Sequence, residues 1–257
     1  MTISLLQLNI NADNFWDRLI PFLSEQRFDV IQLQEVTGKE TACGNFYSKR
    51  NVFAELQKLL EEKYNGVLSI TQRFTSSPTS YFGNATFYKN TYSLIAKHEL
   101  TLFHETEYYP SDATDFSGVG RKVLHLTLKR DAKEISFLNT HFAWGPTPIE
   151  KPYQTEQGDN VIQYLKTVTK PFVLTGDLNL TPDQPTIQNL GTLATNLTEK
   201  NNITNTLNPN LHEAKQLFPK GLAVDYIFTS NDITVKFFEV LEKDISDHMG
   251  LVAEIEV

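Results

Sequence analysis

Pro171-Phe172-Val173-Leu174-Thr175-Gly176-Asp177-Leu178-Asn179 is an apolar run that breaks at a glycine and then presents a carboxylate and a carboxamide. Consecutive apolar residues from Phe172 to Leu174 suit a strand covered on both faces, as in a layered α/β structure. Gly176 allows the backbone to turn or to approach a ligand closely. The i, i+2 spacing of Asp177 and Asn179 directs both side chains to one side if the chain stays extended. The plainer reading is an Asx-rich turn before a helix starting near Thr181-Pro182.

The same design recurs outward from this stretch. Ser136-Phe137-Leu138-Asn139-Thr140-His141 ends an apolar run in an imidazole, Leu5-Leu6-Gln7-Leu8-Asn9 ends one in a carboxamide, and Val30-Ile31-Gln32-Leu33-Gln34-Glu35 ends one in a carboxylate. Ser246-Asp247-His248 stands just ahead of the last apolar run, Leu251–Val257. Further short β-branched runs lie at Val67–Thr71, Thr86–Lys89, Tyr92–Leu102, Val123–Leu128, Val224–Phe228 and Ile233–Val240. Together they predict about eleven strands. Helical stripes are fewer: Phe15, Trp16, Leu19, Ile20 and Leu23, with Pro21 expected to disturb the middle; Val52, Phe53, Leu56, Leu59 and Leu60; and Val161, Ile162 and Leu165. This mixture predicts an α/β four-layer sandwich of two face-packed, mostly antiparallel sheets flanked by helices. Polar signatures at strand ends share one rim of such a sandwich, so residues remote in sequence converge there.

At that rim the residue types suggest metal-assisted attack of water on phosphorus. Strand alternation places Ile31, Leu33 and Glu35 on one face, so Glu35 continues an apolar row and needs a cation; a Glu simply reaching solvent is the alternative. Asn9 offers a neutral oxygen ligand or a carboxamide that holds phosphate. Asn11 and Asp13 are candidate outer ligands, but Asp13 or Asn14 also reads as the N-cap of the following helix. Asp225 lies within the apolar run Val224-Asp225-Tyr226-Ile227-Phe228, which requires a partner, and a histidine is the natural one. Asp225 accepting from one ring nitrogen of His248 leaves the other to take a proton from water, and Asp247 then faces the metal. Alone, His141 reads more readily as a structural histidine. Arg121, after Gly118-Val119-Gly120, is either a phosphate contact or a surface cation, with residues 117–122 read as a loop into the next strand; a dinucleotide loop lacks its third glycine and its leading strand. Trp144 and Tyr108-Tyr109 are either stacking platforms for a base or local packing.

Composition sets the frame. At 257 residues, 40% hydrophobic and 21% charged, the chain suits one large core, and we expect one catalytic domain over residues 1–257. The single cysteine, Cys43, excludes an internal disulfide and a thiolate-rich zinc site. No apolar stretch reaches the ~18 residues of a spanning helix, and the N-terminus reads as lacking a signal peptide. A cytoplasmic monomer without stable membrane association is expected, with room for a processed secreted form. A net charge of −8 and no run of Lys or Arg longer than two argue against avid, sequence-blind DNA binding without excluding a nucleic-acid substrate.

In order along the chain, Leu8-Asn9-Ile10, Gln34-Glu35-Val36, Gly83-Asn84-Ala85-Thr86, Asn139-Thr140-His141, Gly176-Asp177-Leu178-Asn179, Asp225-Tyr226 and Ser246-Asp247-His248 resemble the motifs of the endonuclease/exonuclease/phosphatase superfamily, with its DNase I-like fold. The resemblance implies that Glu35, with Asn9 and Asp247, holds a divalent cation, and that His248 with Asp225 activates water. It also implies that His141, Asp177 and Asn179 grip the scissile phosphate and serve the leaving oxygen. Oxygen-only ligands fit Mg²⁺ or Mn²⁺. The expected activity is a magnesium-dependent phosphodiesterase or nuclease, with nucleic acid as the first substrate class. A phosphatase or phosphodiesterase for a small phosphorylated molecule or lipid head group is the alternative. A silent binding domain on the same scaffold is disfavoured because every matched position keeps its functional residue type. Subfamily phrases of apurinic endonucleases and inositol 5-phosphatases are missing, while Asn9, Leu178-Asn179-Leu180 and Asp247-His248-Met249-Gly250-Leu251 are similar to tyrosyl-DNA phosphodiesterases.

Overall fold

The structure is a computed structural model that describes residues 1–43, 46–103, 108–110, 118–147, 149–169, 171–213 and 218–257. The first half contains β1 (Thr2–Asn9), α1 (Trp16–Glu25), β2 (Val30–Thr37), β3 (Thr41–Cys43), β4 (Phe46–Ser48), α2 (Val52–Leu60), β5 (Tyr64–Arg73), β6 (Tyr81–Lys89) and β7 (Ser93–Phe103). The second contains β8 (Arg121–Arg130), β9 (Lys133–His141), α3 (Pro152–Leu165), β10 (Phe172–Asp177), α4 (Pro185–Gly191), β11 (Thr195–Asn196), α5 (Leu197–Lys200), β12 (Asp225–Thr229), β13 (Thr234–Leu241) and β14 (Gly250–Glu256). Every apolar run singled out in the sequence is a strand. The short β3, β4 and β11 and the helix α5 carry no such signal.

Two six-stranded sheets face each other, ordered β13-β14-β1-β2-β6-β5 and β11-β12-β10-β9-β8-β7. Each contains one parallel pair, β1 with β2 and β9 with β10, joined by the crossover helices α1 and α3; the other pairings are antiparallel. Three apolar layers account for the stacking. Ile3, Leu5, Leu126, Phe137, Val173, Ile227 and Ile255 fill the space between the sheets. Leu19, Leu23, Leu56 and Leu60 of α1 and α2 cover Leu6, Leu8, Ile31 and Leu33 on one outer face, and Val161, Leu165, Ile187 and Leu190 of α3 and α4 cover Leu138, Leu174 and Phe228 on the other. The result is the expected four-layer sandwich, with the first and last strands paired inside one sheet. Among the described residues no helix is long and apolar enough to cross a membrane.

Several local expectations change. α1 runs unbroken through Pro21. Phe15, not Asp13 or Asn14, occupies its N-cap, without a side-chain hydrogen bond. Asp13 Oδ2 instead accepts from the Lys49 amide at 3.0 Å, tying the α1 entry to the segment before α2. The helix expected near Thr181-Pro182 begins at Pro185, where a proline in the first turn costs no hydrogen bond. Within residues 117–122, Ser117 lies outside the described residues, and β8 already begins at Arg121.

Between the sheets the packing changes character toward one rim. Gln7 Nε2 donates to Gln34 Oε1 (2.8 Å) and Asp225 Oδ1 (2.9 Å), and Gln34 Nε2 donates to Asn139 Oδ1 (2.7 Å). Asn139 Nδ2 reaches the carbonyls of Leu33 and Ala85. All four side chains are buried. Such a network fixes the spacing of the two sheets through directed bonds, where apolar contact alone would allow sliding.

Candidate active site

The site stands on that amide layer. In the second sheet the register pairs His141 with Asp177 and Asp177 with Asp225, so the ends of β9, β10 and β12 present three functional side chains in one row. β9 and β10 approach closely because residue 176 is glycine: a Cβ there would lie 2.1 Å from the Thr140 carbonyl oxygen. From the facing sheet, Asn9 at the end of β1 closes on this row. Its Nδ2 donates to Glu35 Oε1 (3.1 Å) and Asp177 Oδ2 (3.0 Å), while its Oδ1 accepts from the Asn11 amide (3.0 Å). In this geometry Asn9 braces two carboxylates; the sequence offered it as a neutral oxygen ligand or as a carboxamide that holds phosphate.

Glu35 reaches the site by a route that strand alternation misses. The β2–β6 register shifts between Leu33 and Val36, and Glu35 has φ +56°. Ile31 and Leu33 face α1 and α2, whereas this left-handed bulge swings the Glu35 carboxylate to the rim. A non-glycine residue in that conformation carries strain, which accumulates at functional sites. Asn179 is also left-handed, at φ +51°. The chain therefore does not stay extended after Asp177: Asp177 Oδ1 accepts from the Asn179 amide at 2.9 Å, an Asx turn that still aims both residues into the pocket.

His248 is fixed by its surroundings. Its Nδ1 donates to Asp225 Oδ2 at 2.9 Å, and Nε2 lies 3.8 Å from Asp177 Oδ2. Asp225 is fully buried and also accepts from Gln7 Nε2 and from Thr206 Oγ1 at 2.7 Å. Those bonds offset the burial of its charge. Ser246 Oγ donates to the Asn9 carbonyl (2.7 Å), fastening the Ser246-Asp247-His248 turn to the end of β1. His141 Nε2 accepts from Asn179 Nδ2 at 3.1 Å and lies 3.5 Å from Asp177 Oδ2 and 3.9 Å from Glu35 Oε1.

These contacts set the charges. Burial opposes a charge on His248, but Asp225, Asp177 and Asp247 outweigh it and hold the imidazole well above its ordinary range. Burial, with Arg121 and His248 nearby, drives His141 well below that range and keeps it neutral. Burial pushes Asp177 up to about 7, helped by Asp225 and opposed by His248 and by the bonds from Asn9 and Asn179. Glu35 is raised by burial and then by Asp247, against the Asn9 hydrogen bond, His248 and Arg121.

A cavity of about 500 Å³ opens over this cluster, with Glu35, His141, Asp177, Asn179, Asp247 and His248 in its wall. Arg121 is the sole Lys or Arg among its described lining residues; it is 6% exposed, so it is a buried cation at the site and not a surface one. Trp144, 54% exposed, stands in the same wall, while Tyr109 packs edge-on against Phe74. Asn11 lines the cavity and Asp13 does not. Sequence reading missed Gln7, Thr206 and His212. Only Gln7 left a signal, as a polar residue inside an apolar run.

Carboxylate oxygens from Glu35 and Asp247 beside a single guanidinium form a hard, anionic donor set, which fits Mg²⁺ or Mn²⁺. The row of His141, Asp177 and Asn179 facing them supplies donors and acceptors across the gap.

Comparison with known proteins agrees with this fold. The Endonuclease/Exonuclease/phosphatase family matches residues 6–248. No curated protein matches the sequence. An endonuclease/exonuclease/phosphatase from Bacteroides vulgatus superposes with a TM-score of 0.74 at 18% identity, covering 100% of this chain and 99% of that one. The human Nocturnin catalytic domain with bound sulfate gives 0.73 at 17% identity, covering 99% and 93%. A mannosyl-6-phosphatase from Bacteroides thetaiotaomicron gives 0.73 at 17% identity, covering 99% and 100%. At such identities the likeness is one of fold.

Proposed function

Because the chain belongs to the Endonuclease/Exonuclease/phosphatase family, we propose that it is a divalent-metal-dependent phosphoesterase that hydrolyses phosphodiester bonds, with nucleic acid as its substrate class. The observation that carries this reading is the convergence, in one cavity, of the Glu35 and Asp247 carboxylates with the Asp225–His248 pair and the His141–Asn179 pair. Glu35 and Asp247 would hold Mg²⁺ or Mn²⁺, with Asn9 bracing Glu35. The cation would neutralise charge that builds on the phosphoryl oxygens.

The chain's own groups supply the rest. Asp225 holds His248 through Nδ1 and so aims Nε2 into the cavity, where it takes the proton of the attacking water. Arg121 would donate to the phosphoryl oxygens as an oxyanion hole does, and Asn179, whose amide N–H groups go to His141 Nε2 and the Phe142 carbonyl, would hold His141 against the phosphate. His141, neutral and beside Asn179, orients the leaving oxygen. Trp144, exposed at the mouth, offers a face on which a base can stack.

A specific observation favours a second substrate class. A polynucleotide path normally carries a basic stripe, whereas here Arg121 is the sole Lys or Arg among the described lining residues. That suits a small phosphorylated molecule, and the fold likeness to a mannosyl-6-phosphatase is compatible with it. A panel of single- and double-stranded DNA, RNA, tyrosyl-DNA and phosphorylated small molecules, each assayed with Mg²⁺ and with a chelator, tests both. Chelator-sensitive cleavage of a nucleic acid is expected. Turnover confined to small phosphate esters would replace the substrate class, and no metal-dependent turnover on any member would overturn the reading.

A further inference from the structure

His212 is a histidine at the active-site wall to which the reaction assigns nothing. It lies on the connection between α5 and β12, and the start of that connection is fastened to the His248 turn. The Asn208 amide donates to the Asp247 carbonyl (2.7 Å), the Met249 amide donates to the Thr206 carbonyl (2.7 Å), and Leu207 bridges to His248. His212 Nε2 stands 4.0 Å from Asp247 Oδ2, and its ring meets the His248 ring edge-on at 5.5 Å. One ligand atom from each of His212, Asp247 and His248 lies within 4.8 Å of the others. A second cluster, Asp177, Asp225 and His248, is a hydrogen-bonded group, because its Asp225–His248 contact is already a 2.9 Å bond.

We propose that His212, Asp247 and His248 form a site for a borderline transition-metal cation such as Zn²⁺, overlapping the oxygen-donor site of Glu35 at Asp247 alone, and that its occupancy shuts the enzyme off. Two imidazole nitrogens and one carboxylate oxygen, with a fourth position open to the cavity, are the ligand set of mononuclear zinc and not of magnesium. Asp225 on His248 Nδ1 provides the outer carboxylate that orients a metal-binding imidazole. Ligand atoms around tetrahedral zinc lie about 3.3 Å apart, so the three side chains need only rotate inward by roughly an ångström. The site shares Asp247 with the proposed magnesium site and occupies His248 Nε2, so a cation there blocks the proton acceptor and competes for a carboxylate. This consequence rests on the proposed phosphoesterase reading; the binding itself does not.

Titration of the metal-free protein with Zn²⁺, followed by calorimetry, tests binding without any substrate. His212→Ala should lower Zn²⁺ affinity by about 10- to 100-fold or more, the loss that even an outer partner of a ligand can cause. Glu35→Gln should leave Zn²⁺ affinity intact while losing Mn²⁺. Co²⁺ bound to the unsubstituted protein should show the strong visible absorption of a four-coordinate ion. Unchanged Zn²⁺ affinity in His212→Ala, loss of Zn²⁺ binding in Glu35→Gln, or a weak six-coordinate Co²⁺ spectrum would each overturn the site. Absence of turnover with Mg²⁺ in the substrate panel would overturn the function and leave these binding outcomes standing.

Discussion

The environment of His248 decides what the site does at a given pH. Asp225, Asp177 and Asp247 hold its imidazole charged well above the ordinary range, and an imidazolium accepts no proton. The rate should therefore fall as pH drops through the His248 pKa, with an acidic limb lying above 6.5. His248→Ala should lower kcat by about 10²- to 10⁴-fold with little change in KM, and should erase that limb. Asp177, pushed up to about 7, is the rival acceptor. A limb near that value surviving in His248→Ala, together with strongly weakened substrate binding, would give the proton to Asp177 and leave His248 as a phosphate ligand. Thr206 is a second test at this scale. Its hydroxyl donates to the buried Asp225 and accepts from the Val224 and Asp225 amides. Thr206→Val should destabilise the fold by about 1.5 to 3 kcal/mol, the worth of a hydrogen bond to a charged group, as read by urea unfolding. An unchanged midpoint would show that Asp225 does not depend on it. Asp225 and His248 were legible as a pair because a carboxylate inside an apolar run demands a partner. Thr206 was not, since a threonine in an irregular segment between α5 and β12 carries no such demand.

Strand ends are the elements that build the site, and their register does what the residues alone cannot. His141, Asp177 and Asp225 stand abreast only because β9, β10 and β12 pair with no shift between them. Gly176→Ala tests this directly, since the new methyl would meet the Thr140 backbone at 2.1 Å and must push β9 from β10. Overpacking of this kind costs about 1 to 3 kcal/mol, and kcat should fall as well, because His141 and Asp177 flank the displaced pair. A variant with normal stability and normal turnover would contradict the close approach. Long apolar runs revealed these strands because period and length are local properties. The bulge at Glu35 was not visible: its left-handed backbone follows from pairing with β6, more than forty residues away in sequence. Alternation therefore put Glu35 on the correct rim but on the wrong face. Asn9 shows the converse, a residue at the rim whose amide orientation depends on Asp177 from the other sheet.

At the scale of the whole molecule, the two sheets are locked by apolar packing at their middle and by the Gln7–Gln34–Asn139 network toward the rim that bears the cavity. We propose that residues 1–257 act as one domain, so circular dichroism and tryptophan fluorescence should report a single coincident unfolding transition. Its pH dependence has a named contributor outside the site. Burial, with a smaller push from His98, lowers the pKa of His125 from 6.5 to about 4, and its Nδ1 meets the Tyr164 hydroxyl at 2.8 Å. Above pH 6.5 the ring is neutral folded or unfolded and contributes no slope. As pH falls from there toward 4, only the unfolded chain takes up the proton, so stability drops by up to roughly 3 kcal/mol. His125→Gln should flatten that limb in thermal melts, and an unchanged limb would assign the loss to other groups. The sandwich and the convergence of its rim were legible from strand count and from where the polar signatures fall. The substrate was not, because the cavity wall draws on loops such as the one bearing Trp144, which follow no period. A divalent cation held at this rim through Glu35 is read by calorimetric titration of Mn²⁺ into the intact protein and into Glu35→Gln. Saturable binding in the intact protein, lost in Glu35→Gln with the circular dichroism spectrum unchanged, is the expected result; equal Mn²⁺ affinity in the two proteins would show that Glu35 does not hold the cation.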